Sequence, residues 1–287
     1  MNTEQALIEA IGLTINIDQL IINGYQINYA TVGNGPPMLL IHGANFGWGV
    51  WYPNISAFAK KFTLYLIDLP GAGRSTRLDY KKLDPEKDLY AIVNQFIKIL
   101  NLHDLVVLGC SIGGWLAFRI ALENPDRVQK LIIENSVGFA DYMNFNDKII
   151  GFYPLAKLIS MTILKPKRSN KNIEKFLRGI FYNKELELKP EFIDYFYETM
   201  STSHNLLFIS RLITLNSEFL LQEKLKNIFQ PTLIIWGRQD RIIPLEKNYR
   251  NFQLLPHQTT QVINHAGHIP SLEEPSEFNK TVLAFLR

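Results

Sequence analysis

Short apolar runs separated by polar turns form the main pattern along this chain. They carry β-branched residues and lie at 26–32, 38–41, 63–67, 105–108, 128–133, 232–236 and 260–263. Runs of this length, bounded by turn residues, are typical of strands buried on both faces, as in a parallel sheet. The run at 26–32 alternates only loosely between apolar and polar residues, which favours a strand near a sheet edge.

Helical patterns alternate with these runs. One begins at Asp84-Pro85, where aspartate suits the N-cap and proline suits the first helical position. The residues that follow form one apolar stripe at three- and four-residue spacing: Leu89, Ile92, Val93, Phe96, Ile97 and Leu100. A last helix begins at Pro275, with Phe278, Val282, Phe285 and Leu286 at the same spacing. This alternation predicts an α/β fold with right-handed crossovers.

The stretch 138–225 breaks the alternation. It has no convincing strand pattern, and its aromatic and aliphatic residues recur at helical spacing. Strand patterns resume at 232, so an inserted helical cap is favoured over a separate helical domain. The predicted organisation is a core of residues 1–137 and 226–287 with a cap at 138–225.

Composition narrows the function classes. The chain has 287 residues, 47% hydrophobic and 20% charged, typical of an ordinary globular protein. A net charge of +3 is too small to favour nucleic acid. The single cysteine excludes an internal disulfide framework and fits a reducing compartment. With no signal-peptide or membrane-span pattern, we expect a cytoplasmic protein acting on a small molecule. Its oligomeric state is open between monomer and homodimer.

Candidate chemistry is concentrated in Gly109-Cys110-Ser111-Ile112-Gly113. This segment lies between a predicted strand and a predicted helix, the context of a nucleophile elbow. A Cβ at either flanking glycine would collide with the adjoining strand or helix, so glycine is required there. The alternative is a glycine-rich packing turn whose serine only caps the helix.

Two further side chains follow strands in an order suited to nucleophilic catalysis. Asp240 follows the run at 232–236, and His268 follows the run at 260–263. A serine hydroxyl needs a base, and a histidine base is usually held in one tautomer by a carboxylate. Because the carboxyl ends of parallel strands share one rim of the sheet, we expect Ser111, Asp240 and His268 to converge there.

With these motifs in that order, the chain resembles the α/β-hydrolase superfamily, in particular its members with a helical cap. The other matching segments are His42-Gly43-Ala44-Asn45, Asp68-Leu69-Pro70-Gly71-Ala72-Gly73-Arg74-Ser75 and the stretch from Gly267-His268 to Glu273-Glu274-Pro275. The resemblance implies a mostly parallel eight-stranded sheet flanked by helices. It also implies Ser111 as nucleophile, His268 as general base and Asp240 as its orienting acid.

The resemblance further implies an oxyanion hole made by two backbone N–H groups, those of Ile112 and Ala44. Asn45 is the next residue along and is an alternative to Ala44. No cofactor and no metal are implied, since two histidines alone, His265 and His268, make a poor metal site.

Three nearby polar residues have competing interpretations. Glu134 is a rival to Asp240, because some members of the superfamily carry the acid after the sixth strand. His42 is interpreted as a structural histidine that ties loop backbone together, and Asp68 as the organiser of its glycine turn.

These residues predict a cofactor-free serine hydrolase for an apolar or aromatic substrate, foremost a carboxylic ester. The alternatives are hydrolysis of a carbon–carbon bond in a ring-cleavage product, a lyase or cofactor-free oxygenase using the same histidine–aspartate pair, and a ligand receptor on a hydrolase scaffold. A serine nucleophile argues against dehalogenases and epoxide hydrolases of the superfamily, which use aspartate there.

Overall fold

The computed structural model describes residues 2–141, 177–199, 207 and 210–287. Its centre is an eight-stranded sheet in the order β1-β2-β4-β3-β5-β6-β7-β8. The first two pairings, β1 with β2 and β2 with β4, are antiparallel, and the remaining pairings are parallel. The strands are β1 (Asn16–Ile22), β2 (Tyr25–Val32), β3 (Pro37–Ile41), β4 (Thr63–Ile67), β5 (Leu105–Cys110), β6 (Val128–Glu134), β7 (Thr232–Gly237) and β8 (Gln258–Ile263).

Helices cover both faces of this sheet. The described α-helices are α1 (Thr3–Ile11), α2 (Tyr52–Phe58), α3 (Ala91–Ile99), α4 (Ile112–Glu123), α5 (Pro190–Thr199), α6 (Gln222–Leu225), α7 (Leu245–Asn248), α8 (Pro270–Glu273) and α9 (Pro275–Phe285). Single-turn segments add 3-10 geometry at Trp48–Trp51, Tyr80–Lys82, Asn216–Phe219 and Tyr249–Leu254, and a π-helical turn at Pro85–Tyr90 leads into α3. None of the helices among the described residues is both long and apolar enough to cross a membrane.

The central strands are buried on both faces, which explains their continuous apolar sequence. Every residue of β5 is buried. Its alternate side chains enter two separate cores: Leu105 and Val107 pack with α3 and α4, while Val106 and Leu108 pack with α2 and α9. The predicted α/β fold with a mostly parallel sheet is therefore confirmed.

The predicted helix starts also hold. Asp84 accepts hydrogen bonds from the backbone N–H groups of Glu86 and Lys87, at 3.0 and 3.2 Å. The apolar stripe that follows is buried except for Leu100, which is partly exposed. The last helix begins at Pro275 as expected.

Two amino-terminal elements were missed. Helix α1 packs against α5. Its Glu4 carboxylate accepts a hydrogen bond from Trp48 Nε1 at 2.8 Å and forms an ion pair with Arg74 Nε at 3.0 Å. The edge strand β1 has mostly exposed or half-exposed positions. Polar residues at Glu9 and Asp18 interrupt the apolar pattern here, because each element has one solvent-facing side.

The cap at 138–225 stays a prediction. It falls in the connection between β6 and β7, which contains α5 and α6. Its residues 142–176, 200–206, 208 and 209 lie outside the described part of the chain.

Candidate active site

Ser111 lies in a sharp turn between β5 and α4. Its backbone has φ 55° and ψ −117°, a conformation that residues with a Cβ rarely adopt. A Cβ on Gly109 would lie 2.1 Å from the Gly113 carbonyl oxygen, and one on Gly113 would lie 2.2 Å from the Ile41 oxygen. The turn therefore excludes side chains on both sides, as the sequence predicts.

The serine does not serve as a helix cap. It occupies the N-cap position of α4, yet its side chain makes no capping hydrogen bond. The residue is partly exposed, whereas β5 before it and Ile112 after it are buried. The packing-turn alternative thus leaves the Ser111 hydroxyl without a structural task.

His268 and Asp240 form a buried pair at the same rim of the sheet. His268 Nδ1 lies 2.8 Å from Asp240 Oδ2, and the two residues are 6% and 5% exposed. The other oxygen of Asp240, Oδ1, accepts the backbone N–H groups of Ile242 and Ile243 at 2.8 and 3.0 Å. The carboxylate is thereby held in place, and Nε2 is the histidine nitrogen left for another partner.

The electrostatics favour a basic histidine. Burial lowers the pKa of His268, but the facing carboxylate of Asp240, aided by Glu134 and Glu273, outweighs burial. The net pKa is raised above its ordinary value of 6.5. A histidine in this environment accepts a proton more readily than one in water.

Asn135, at the end of β6, joins the loops that carry this pair. Its Nδ2 donates to Asp240 Oδ2 at 2.5 Å and to the carbonyl of Gly267 at 3.3 Å. Its Oδ1 accepts the Gly237 N–H at 3.0 Å. Sequence reasoning missed this residue, although its place directly after a predicted strand was a usable signal.

The turn after β3 approaches the serine. A Cβ on Gly43 would lie 3.2 Å from Ser111 Cβ, so the backbone leading into Ala44 runs beside the elbow. Asn45 follows with φ 67°. The structure thus places Gly43, which precedes Ala44, beside Ser111, which precedes Ile112.

The ring of His42 connects that turn to the loop after β4 by hydrogen bonds. Its Nδ1 lies 2.6 Å from the Gly43 carbonyl, and its Nε2 accepts the Leu69 N–H at 3.0 Å. These partners define a neutral ring with the proton on Nδ1. Burial lowers the pKa of His42 to about 4, which keeps it neutral, as suits the structural histidine inferred from sequence.

Asp68 is likewise a buried organiser of backbone. Its carboxylate accepts the N–H groups of Trp48 and Arg74 at 2.6 and 2.9 Å and the side-chain amide of Asn28 at 2.9 Å. Burial raises its pKa to about 7, although these donors oppose the rise. These contacts fit the turn-organising interpretation.

Glu134, the rival acid, faces a different partner. Its carboxylate accepts the backbone N–H of Ser271 at 2.7 Å and the Ser271 hydroxyl at 3.1 Å. Burial raises its pKa to about 7. The carboxylate at hydrogen-bond distance from His268 Nδ1 is that of Asp240, not that of Glu134.

Glu273, a third carboxylate near His268, was also missed as a site residue. Glu273 accepts the N–H groups of Gly267 and Ile269, on either side of the histidine. It lies within a matching motif, but sequence alone assigned it no partner. Among residues 2–141, 177–199, 207 and 210–287, no histidine, cysteine, aspartate and glutamate side chains are grouped in threes as a metal site requires.

Comparison with known proteins agrees with this fold. The model of the alpha/beta hydrolase fold family matches residues 36–275. A pimeloyl-(acyl-carrier protein) methyl ester esterase of Nitrosospira multiformis is 29% identical over 263 residues, which are 90% of this chain and 97% of that protein.

Two further similarities span nearly the whole chain. A 2-hydroxy-6-oxononadienedioate/2-hydroxy-6-oxononatrienedioate hydrolase of Comamonas testosteroni is 26% identical over 278 residues, 95% of each protein. The solved structure of a thermophilic esterase from Thermogutta terrifontis superposes with a TM-score of 0.76 at 21% identity, covering 95% of this chain and 98% of that one. The chain is an enzyme that belongs to the alpha/beta hydrolase fold family.

Proposed function

We propose that this enzyme is a serine hydrolase that cleaves a carboxylic ester through Ser111, His268 and Asp240. The observation that carries the proposal is the buried 2.8 Å contact between His268 Nδ1 and Asp240 Oδ2. It orients the imidazole at the rim where the strained serine turn ends β5. A serine, a histidine and a carboxylate in these relations are the components of acyl transfer.

In this mechanism His268 Nε2 takes the proton of Ser111 as the hydroxyl oxygen attacks the ester carbonyl. The imidazolium that forms is stabilised by Asp240, which remains a carboxylate. Collapse of the tetrahedral intermediate expels the alcohol, which receives the proton. Water, activated by the same histidine, then releases the carboxylic acid from Ser111.

The oxyanion is assigned to the backbone N–H groups of Ile112 and Ala44. Ile112 is the first residue of α4, where N–H groups point outward and the helix dipole favours negative charge. Ala44 follows Gly43, which approaches Ser111 closely. Removal of one such donor slows acyl transfer by about 100- to 1,000-fold in serine hydrolases.

The named relatives support two candidate substrate classes. The Nitrosospira relative is named for a methyl ester, which supports an ester with a small alcohol leaving group. The second candidate is hydrolysis of a carbon–carbon bond in a ring-cleavage product. It is supported by the Comamonas relative, named for such a dienedioate substrate and similar over 95% of both chains.

No cofactor is needed for either reaction, since each uses only a nucleophile, a base and water. We place the enzyme in the cytoplasm, acting on a small molecule. The support is that the only cysteine, Cys110, is a buried free thiol, as is common in a reducing compartment.

Active-site labelling tests the mechanism. A fluorophosphonate should modify Ser111 in the folded protein, as read by peptide mass spectrometry. Ser111→Ala should abolish the labelling. Ser276→Ala is the control, because Ser276 is exposed on α9, far along the chain from the elbow, and should label like the wild type. Folded wild type that stays unlabelled contradicts the proposal.

A substrate screen then separates the candidates. Turnover of p-nitrophenyl or methyl esters of graded chain length supports the esterase, and faster turnover of a ring-cleavage dienoic acid supports the carbon–carbon hydrolase. Lyase or oxygenase chemistry would proceed in Ser111→Ala. A receptor would bind a small molecule without multiple turnovers.

A further inference from the structure

Glu273 is a buried carboxylate that touches the loop of the histidine from both sides. It closes the short helix α8 and is 3% exposed. Its Oε1 accepts the N–H of Gly267 at 3.0 Å and the N–H of Ile269 at 3.2 Å. The two amides flank His268, so one oxygen fixes the backbone on either side of the imidazole.

The other oxygen reaches a different part of the chain. Oε2 accepts the backbone N–H of Tyr182 at 2.7 Å, in the connection between β6 and β7. That segment crosses the histidine loop closely: a Cβ on Gly267 would lie 2.8 Å from the Tyr182 nitrogen and 3.2 Å from the Ile180 oxygen. Glu273 therefore links the histidine loop to a segment that precedes α5.

The partners require a carboxylate. These three amides, and the backbone amide of Asn183 beside them, are N–H donors, so both side-chain oxygens must accept. A glutamine has the same shape, but whichever way its amide is turned, its NH₂ faces a backbone N–H. Burial raises the pKa of Glu273, while the amides of Gly267, Tyr182 and Ile269 oppose that rise by bonding the charged form. An ionised carboxylate kept in so buried a place needs these donors.

We propose that Glu273 is a positioning residue for His268. Glu273 keeps the imidazole at hydrogen-bond distance from Asp240 and couples the histidine loop to the Tyr182 segment. This inference rests on the proposed function, in which His268 is the base. Glu273 does not touch the reacting atoms. It acts through the backbone of the histidine loop and through its charge, which with those of Asp240 and Glu134 faces His268.

The test compares Glu273→Gln with Glu274→Gln, a neighbouring and partly exposed glutamate. In Glu273→Gln we expect the fluorophosphonate labelling rate of Ser111 and kcat to fall by about 10- to 100-fold, because small displacements of a catalytic group have effects of this size. KM should change little. The acidic limb of the pH profile should move to lower pH, since His268 loses the nearby negative charge of Glu273.

Hydrogen exchange reports the link itself. The amides of Gly267, Ile269 and Tyr182 should exchange faster together in Glu273→Gln and not in Glu274→Gln. Faster exchange at Gly267 and Ile269 alone would overturn the coupling to Tyr182. Lower stability with unchanged kcat and an unchanged acidic limb would mean a purely structural role and overturn the positioning proposal.

Glu273→Asp provides a second variant that keeps the charge but shortens the side chain. It should lose kcat while its acidic limb stays at the wild-type pH, and wild-type kcat in this variant contradicts the proposal even where Glu273→Gln fails to fold. Failure of the proposed function is separately visible, because wild-type Ser111 would then not label.

Discussion

At the scale of single residues, Ser111 reaches its position only in an unfavourable backbone conformation. A side chain at φ 55° and ψ −117° is strained, and strain of this kind costs about 1–3 kcal/mol. The strain aims the side chain at the sheet rim. Stability and reactivity are therefore in conflict at this residue.

Two substitutions at Ser111 separate these effects. Ser111→Ala should lower kcat by about a million-fold, judged from other serine hydrolases, with little change in stability. Ser111→Gly should be equally inactive but more stable than the alanine variant by about 1 kcal/mol, because glycine tolerates the positive φ. Urea unfolding and esterase assays measure both, and wild-type turnover in Ser111→Ala would refute the nucleophile assignment.

In the proposed mechanism, the raised pKa of His268 sets the acidic side of the activity profile. Only the neutral imidazole can accept the serine proton, so kcat/KM should fall as the pH decreases through the histidine pKa. That pKa lies above 6.5, and the acidic limb should too. Asp240→Asn should move the limb to lower pH and reduce kcat by about ten-thousand-fold. A flat acidic profile in the wild type would disagree with this assignment.

At the scale of elements, the site depends on how the ends of β6, β7 and β8 are tied together. Parallel pairing brings these ends to one rim, but it does not orient the loops that leave them. Asn135 supplies that orientation, because its one amide reaches Asp240, Gly237 and Gly267. Its backbone is left-handed, with φ 41°, and its N–H donates to the Ile235 carbonyl of β7 at 3.1 Å.

Replacing this amide should loosen the rim without breaking the sheet. Asn135→Gly tolerates the positive φ but leaves the buried Gly237 N–H without its acceptor, so we expect a loss of about 2 kcal/mol in unfolding free energy and slower labelling of Ser111. Asn23→Gly is the matched control, since Asn23 also has a positive φ, 50°, but is exposed. Equal stability of the two variants would argue against the Asn135 bridge.

At the scale of the whole molecule, fully buried carboxylates make folding sensitive to pH. Glu134 and Asp68 are 0% exposed, and burial raises the pKa of each to about 7. A carboxyl group whose pKa is raised in the folded protein contributes stability that is present below its unfolded pKa. This contribution is lost as the pH rises through the folded pKa.

Glu134→Gln tests this behaviour. Glutamine can accept the Ser271 N–H and donate to the Ser271 hydroxyl, so the packing is kept. Between pH 4.5, the ordinary value, and about 7, the wild type should lose about 3 kcal/mol of unfolding free energy relative to the variant. Denaturant titrations across this range measure the difference. Glu223→Gln, at a 94% exposed side chain, should show no such trend.

Local pattern was sufficient for much of the architecture. The buried strands, the helix start at Asp84-Pro85 and the glycine-flanked serine turn were all predictable, because each depends on residues adjacent in sequence. Helix α1 and strand β1 escaped prediction, since each is half exposed and its polar residues mask the apolar face. The amide of Asn135 and the carboxylate of Glu273 gave no local signal of their partners.

What the sequence by itself determined is the α/β fold, the elbow at Ser111 and the candidacy of Asp240 and His268, because hydrophobic periodicity and steric demands act over a few residues. Only the tertiary structure decided that Asp240 rather than Glu134 lies at hydrogen-bond distance from His268 Nδ1, and that Asn135 and Glu273 accept or donate hydrogen bonds in the loops that carry the pair. Those choices depend on which loops meet at the rim of the sheet. A hydrogen bond requires its two atoms to lie about 3 Å apart. The number of residues between two groups in the sequence does not predict whether they come that close.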